Sequence, residues 1–278
     1  MIKALDYFSS LVRQDNSIPL FEAALAIAQD ADPQLDLAAP QAEVDVLAVK
    51  LQRRLPSDAS VIQRLRMLNH FFYSELGFAG NVNDYYAADN SYLHRVITTR
   101  RGIPISLAVV YMELAQQIGL DVKGVSFPGH FLMKLSVQAG EIILDPFNGE
   151  SLSREELEER LEPFLEPDDY MADITLAAYL QPAHPRDILV RMLRNLKALF
   201  MERLHWDRVL GVQERLVILL PRDITERRDR GLAFAHMECP QAALLDLEAY
   251  LAERPDAPDA PAMRARLPEL REAARRIN

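Results

Sequence analysis

The 278-residue chain contains a single cysteine, Cys239, which excludes a disulfide framework, and no Cys/His cluster has zinc-ligand spacing. Long apolar runs are lacking as well. No uninterrupted stretch reaches membrane-spanning length, and Lys3, Asp6, Arg13 and Asp15 interrupt any signal-peptide core near the N-terminus. Positive charge is in deficit: 31 Lys and Arg stand against 41 Asp and Glu, a formal net charge of −10. Phosphate binding requires a basic face, so nucleic acid is disfavoured as the main partner. These absences predict a cytoplasmic protein with no cofactor, no metal and no membrane partner. Acidity concentrates between Glu150 and Asp173, including Glu155-Glu156, Glu158-Glu159 and Asp168-Asp169. That stretch reads as an exposed helix and linker before it reads as a dock for a cationic partner.

Nearly half of the residues are apolar (49%), enough for one large core or two ordinary ones. The first eighty residues predict helices. Ser17 is a candidate cap for a segment beginning at Pro19, with Leu20, Phe21, Ala24, Leu25 and Ile27 as its buried face. Val44, Leu47, Val49, Leu51 and Leu55 suggest a second helix, ended near Pro56. Asp58 or Ser60 opens a third, with Ile62, Leu65, Leu68, Phe72 and Leu76 at spacings of three and four. Asn81–Asn90 reads as a loop, and Asn90-Ser91 as a cap for Tyr92–Thr99.

The centre of the chain carries the chemistry. Gly102-Ile103-Pro104-Ile105-Ser106-Leu107 places Ser106 in the first turn of a helix, because Pro104 suits the first helical position and Leu107, Val110, Tyr111, Leu114 and Ile118 follow at helical spacing. Gly119 then terminates it. Asp121–Phe127 alternates as a strand, Pro128-Gly129 bends it, and Phe131–Leu135 resumes it, so His130 lies at a strand start. Glu141–Leu144 is a short strand delivering Asp145 at its end, before Pro146. Hydroxyl, imidazole and carboxylate are the three roles of nucleophilic catalysis: an attacking atom, its base, and the acid that orients the base. Each residue has a bland alternative. Ser106 can satisfy helix N-terminal donors, His130 can be a hydrogen-bonded core histidine, and Asp145 can start a turn.

The order of these elements resembles the transglutaminase-like branch of the papain-type fold, and more specifically the bacterial SirB family, in which such a domain precedes tetratricopeptide repeats. The residues that carry the resemblance are Tyr85-Tyr86, Asn90-Ser91-Tyr92-Leu93, Arg100–Leu107, Pro128–Leu132 and Leu144–Gly149. It implies an α+β N-terminal domain of helices and a small antiparallel sheet, with Ser106, His130 and Asp145 close together in a cleft. It also implies substrate contacts for Tyr85, Tyr86, Asn90, Arg101 and Asn148. Tyr85 and Tyr86 either line a groove or pack the loop. Arg100-Arg101 either holds a carboxylate of a bound peptide or pairs with Asp84 or Asp89. His94 is expected at the surface or behind the site. One departure matters: transglutaminase-like enzymes use a cysteine nucleophile, and Ser106 takes its place here, which argues against transglutaminase activity.

After Pro163 and Pro167, residues 181–278 form a second, all-α domain following a first domain of residues 1–180. A shift of 34 residues superposes Arg194 on Arg228, Phe200 on Phe234, Leu210 on Leu244, Glu214 on Glu248 and Pro221 on Pro255. This is the tetratricopeptide period. Two repeats rarely stand alone. Met263, Leu267, Leu270, Ala274 and Ile277 form the stripe of a capping helix, and Leu189, Met192, Leu193, Leu196 and Phe200 form a stripe that requires the first domain as cover. Trp206, Met192 and Met201 are expected in the core, and Cys239 buried or half-buried.

Two functions fit. One is a regulatory or adaptor protein, binding a peptide in the transglutaminase-like cleft and a protein on the repeats. The other is a serine-dependent peptidase or amidase using Ser106, His130 and Asp145.

Overall fold

Helical spacing in the first eighty residues becomes four helices: α1 (Ala4–Leu11), α2 (Leu20–Ile27), α3 (Ala38–Gln52) and α4 (Val61–Asn69). The structure is a computed structural model and describes residues 3–165 and 176–277. Ser60 caps α4 through a reciprocal pair of bonds with Gln63, which satisfies two otherwise orphaned N–H groups. The third helix does not run evenly to Leu76, because its last turns widen into a π-helix over His70–Glu75. Ser17 is not a cap. It lies in a separate 3-10 turn, Asp15–Ser17, and Pro19 occupies the position before α2.

Two very short parallel strands, β1 (Ala79–Gly80) and β2 (Arg101–Gly102), flank the tyrosine loop and helix α5 (Leu93–Thr99), and α6 (Pro104–Gln117) follows β2. Tyr92, not Asn90 or Ser91, stands at the N-cap of α5, and its side chain makes no capping bond. Asn90 instead turns inward: its amide donates to the carbonyls of Asp84 and Tyr85 and its oxygen accepts from Asn81. Helix α6 is the hub of the domain. Ten of its residues, from Pro104 to Ala115, are buried, so its polar residues face inward as well as outward.

A four-stranded antiparallel sheet packs beside α6 in the order β3 (Val122–Val125), β4 (Leu132–Val137), β5 (Gly140–Leu144) and β6 (Ser151–Leu152). Val125 pairs with Leu132, and Met133 with Leu144. The loop carrying His130 and the strand end carrying Asp145 therefore reach the same end of the sheet. Helices α7 (Arg154–Leu161) and α8 (Leu176–Tyr179) contribute to a small second core with Val125, Phe127, Leu132 and Ile143. Part of the acidic stretch and the second of its flanking prolines, Pro167, fall within 166–175, outside the described residues.

The chain then forms helices α9 (Pro185–Glu202), α10 (Trp206–Leu219), α11 (Ile224–His236), α12 (Pro240–Glu253) and α13 (Ala260–Ile277). Leu189, Met192, Leu193, Leu196 and Phe200 of α9 are all buried in the same continuous core as α1 to α6. Val209, Val212, Leu216 and Leu219 of α10 join it. The distal helices have a separate core of Ile224, Leu247, Tyr250, Met263 and Leu267, with α13 covering the end. Three core assignments need correction. Met201 is 44% exposed and Trp206 only half-buried, its ring stacked on His236 at 3.7 Å, because both sit where α9 turns into α10. Cys239 is exposed at the position before α12.

Candidate functional site

Two of the three chemical residues meet. The His130 ring donates from Nε2 to Asp145 Oδ1 at 2.9 Å. The carboxylate is nearly fully buried, whereas a quarter of the imidazole remains exposed. Asp145 has two further partners: Arg160 of α7 reaches Oδ2 at 2.9 Å, and the Phe147 N–H donates to Oδ1 at 2.9 Å. Burial alone raises the Asp145 pKa, but the bonds from His130, Arg160 and the Phe147 amide outweigh it and bring it down to about 2. An ionised, anchored carboxylate on Nε2 fixes the proton there. Nδ1 is left as the ring nitrogen able to accept a proton or a hydrogen bond from a bound group.

The turn after Asp145 is gripped from several sides. Tyr73 donates to the Pro146 carbonyl at 3.1 Å, Asn69 donates to the Gly149 carbonyl at 3.0 Å, and the Gly80 N–H donates to the Phe147 carbonyl at 3.0 Å. Gly80 must lack a side chain, because a Cβ there would fall 2.0 Å from the Phe147 ring.

Ser106 stands differently. It is 0% exposed. Its hydroxyl donates to the Asn90 carbonyl at 2.5 Å, and Ile103 O lies 3.0 Å away. Its oxygen accepts the Ile103 N–H at 3.1 Å, the reverse bond by which a third-position side chain closes a helix start. The backbone of Gly102 crowds the same oxygen, since a Cβ at that position would lie 2.7 Å from Oγ. Among the described residues, no hydrogen bond joins Ser106 to His130. The hydroxyl ties the Asn90 turn to the start of α6.

The other candidate contact residues divide in two. Tyr85 and Tyr86 are exposed and line a cavity of about 250 Å³ with Ala87, Ser91, Ile103 and the α9 residues Asn195, Ala198, Leu199 and Glu202. Tyr85 stands between this cavity and the Asp145 turn, its ring 6.4 Å from that of Phe147. Asn90, Arg101 and Asn148 hold backbone or neighbours instead. Asn90 braces the tyrosine loop as described. Arg101 donates to the Gly77 carbonyl at 2.6 Å, and Arg100 pairs with Glu43 at 2.8 Å, not with Asp84 or Asp89. Asn148 donates to Glu150 at 2.6 Å. His94 is half-buried, and burial lowers its pKa. Two residues escaped the sequence reading. Arg160 was hidden in an acidic helix, and Arg191 of α9, which bonds the His130 loop, was hidden in the repeat-like region.

Comparison with known proteins places this geometry. Residues 38–194 match the transglutaminase-like superfamily and residues 196–268 match a tetratricopeptide repeat. The chain belongs to the transglutaminase-like superfamily. A UPF0162 protein of Xylella fastidiosa (strain Temecula1) is 39% identical over 264 residues, covering 92% of this chain and 91% of the relative. Protein SirB1 of Salmonella typhimurium is 30% identical over 226 residues, 81% of this chain and 82% of its own length. The UPF0162 protein YchA of Escherichia coli K12 is 31% identical over 206 residues, 74% and 75% respectively. No solved structure matches. Helix α9 straddles the two family matches, which agrees with its place in the core of the transglutaminase-like domain. No helix among the described residues is long and apolar enough to cross a membrane. Tetratricopeptide repeats generally mediate protein–protein interaction, so this architecture is one of protein interaction or regulation.

Proposed function

We propose that the protein is a cytoplasmic adaptor whose transglutaminase-like cleft binds an extended peptide without acyl transfer, while the repeats of residues 181–278 engage a second protein. The observation that carries this reading is the engagement of Ser106. A nucleophile must be reachable and must share its proton with a base, whereas this hydroxyl is buried and donates to Asn90. The His130–Asp145 pair is formed without Ser106, and Tyr85 stands between its turn and the Tyr85–Tyr86 cavity. An imidazole with one nitrogen anchored presents the other in a fixed direction, which suits recognition of a peptide N–H or hydroxyl. Two tyrosines supply apolar faces with polar tips, the usual composition of a peptide-contact surface.

The test is selection of a phage-displayed peptide library on the intact protein, with Tyr85→Ala/Tyr86→Ala and His130→Ala as comparisons. The adaptor reading expects enriched sequences whose binding is lost in both variants. Enrichment that is indifferent to both would contradict it. The His130–Asp145 pair is also the feature that favours the serine-dependent peptidase or amidase, and His130-dependent acylation of Ser106 would establish that reading instead.

A further inference from the structure

Arg191 lies on α9, near the end of the transglutaminase-like match and just ahead of the repeat match, and its side chain reaches the loop that carries His130. Nη1 donates to the Phe127 carbonyl at 3.1 Å and to the Ser126 hydroxyl at 3.2 Å, and Nη2 donates to the His130 carbonyl at 2.8 Å. Phe127 and His130 are the two ends of one turn, closed by the His130 N–H on the Phe127 carbonyl at 3.2 Å. Pro128 and Gly129 form its middle. Gly129 has φ +66°, the left-handed value a turn of this kind requires after proline, and the Phe164 ring fills the space a Cβ would take. The guanidinium therefore bridges both ends of the turn while lying 5.7 Å from the Phe131 ring. A planar fork with donors at fixed spacing can make this bridge, and an ammonium cannot. Burial lowers the Arg191 pKa, and among the described residues no carboxylate lies within ion-pair distance of it. The cation is held by backbone carbonyls.

We propose that Arg191 is a positioning residue for His130: from α9, the helix on which the two family matches meet, it fixes the turn that aims the imidazole at Asp145, so that the site is complete only when α9 is docked. This rests on the reading that the His130–Asp145 pair is the working part of the cleft. Leu189, Met192 and Leu193 flank Arg191 and are buried in the core of the first domain, so α9 is a rigid base for the fork. It follows that any displacement of α9, such as one caused by a partner bound to the repeats, would be felt first at the imidazole.

The imidazole itself supplies the readout, through ring ¹⁵N chemical shifts at mildly alkaline pH, assigned by their loss in His130→Ala. The expected result is a single tautomer protonated at Nε2 in the wild type, a mixture in Arg191→Met, and a wild-type spectrum in Met201→Ala at the exposed end of the same helix. A merely structural role would lower the melting temperature of Arg191→Met and leave the tautomer fixed, which would overturn the proposal. Should Arg191→Met fail to fold, Arg191→Lys decides. It keeps the charge but cannot span both carbonyls, so a mixed tautomer is expected and an unchanged one overturns the bridge. The spectra need no peptide, so failure to select one would count against the adaptor reading alone.

Discussion

Around Ser106 and the His130 loop several polar side chains of the first domain hold backbone atoms, with Asp145 and its His130 and Arg160 partners as the exception, whereas the distal repeats direct theirs at one another. Ser106, Asn90, Asn69, Tyr73 and Arg191 each bond at least one main-chain carbonyl. In the repeats, Asp246 of α12 is 1% exposed and accepts from both Arg227 and Arg230 of α11. Glu226 of α11 accepts from Arg194 and Lys197 of α9 and from Gln213 of α10. Arg228 joins Asp229 to Asp259. The difference follows from the size of the cores. The first domain shares one large apolar cluster with α9 and α10, while the distal helices have five buried apolar residues in theirs. Helices with little apolar surface to bury are fixed by charge pairs, and such pairs tolerate the loss of one partner poorly. Irregular loops have no ladder of their own, so side chains must satisfy their backbone groups.

The largest effect is expected where this contrast is sharpest. Asp246→Ala leaves two arginines facing a buried gap and should cost about 3 to 5 kcal/mol. Hydrogen exchange should locate the loss in α11 to α13 while α6 and the sheet stay protected. Equal deprotection of both regions would mean that the distal repeats are not a separate electrostatic unit.

Two carboxylates with opposite shifts give the next test. Burial raises Asp30 from 3.8 to about 6, only partly offset by Arg215 and Arg208 and reinforced by Glu214 and Asp207. The folded chain binds that proton more tightly than the unfolded one, so its contribution falls as pH rises from about 4 to 6. Asp145, lowered from 3.8 to about 2, has the reverse sign, and its stabilisation is lost as pH falls from about 4 to 2. Each shift is worth about 2 to 3 kcal/mol. Chemical denaturation across this range should show the Asp30 slope disappear in Asp30→Asn and the acid-side slope diminish in Asp145→Asn.

Ser106→Ala comes third. It leaves the Ile103 N–H and the Asn90 carbonyl without their present partner, which should cost about 1 to 3 kcal/mol in a thermal or denaturant melt. A neutral result would mean that the hydroxyl is not holding the helix start. Ser106→Cys is the companion: the introduced thiol lies buried, so a maleimide should label exposed Cys239 first, as peptide mapping would reveal. The smallest effect belongs to the surface. Arg271 and Glu248 pair at 2.9 Å but are about half exposed, and Arg271→Ala should shift stability by roughly 0.5 kcal/mol or less.

Much of the fold was legible because periodicity and punctuation agreed. Pro104, the Leu107–Ile118 spacing and Gly119 marked α6, Asp58 or Ser60 marked the start of α4, and the 34-residue shift marked the repeats. The unpartnered stripe on α9 announced its burial against the first domain. Of the site, the juxtaposition of His130 and Asp145 followed from two strands ending at the same edge. What escaped were choices that depend on a third element. Whether a helix-start serine faces a base or caps its own backbone turns on the Asn90 carbonyl, sixteen residues earlier and folded back over it. Arg160 and Arg191 look like ordinary surface charges until the acidic helix and α9 are docked. Cys239 and Met201 were misplaced because a helix junction exposes residues that a regular pattern would bury.

The most direct measurement is intact-protein mass spectrometry after incubation with an active-serine phosphonate, on the wild type and on His130→Ala. The locked geometry of Ser106 predicts no adduct on either protein while the fold remains intact. An adduct on Ser106 that requires His130 would contradict it, and would make the cleft a catalytic one.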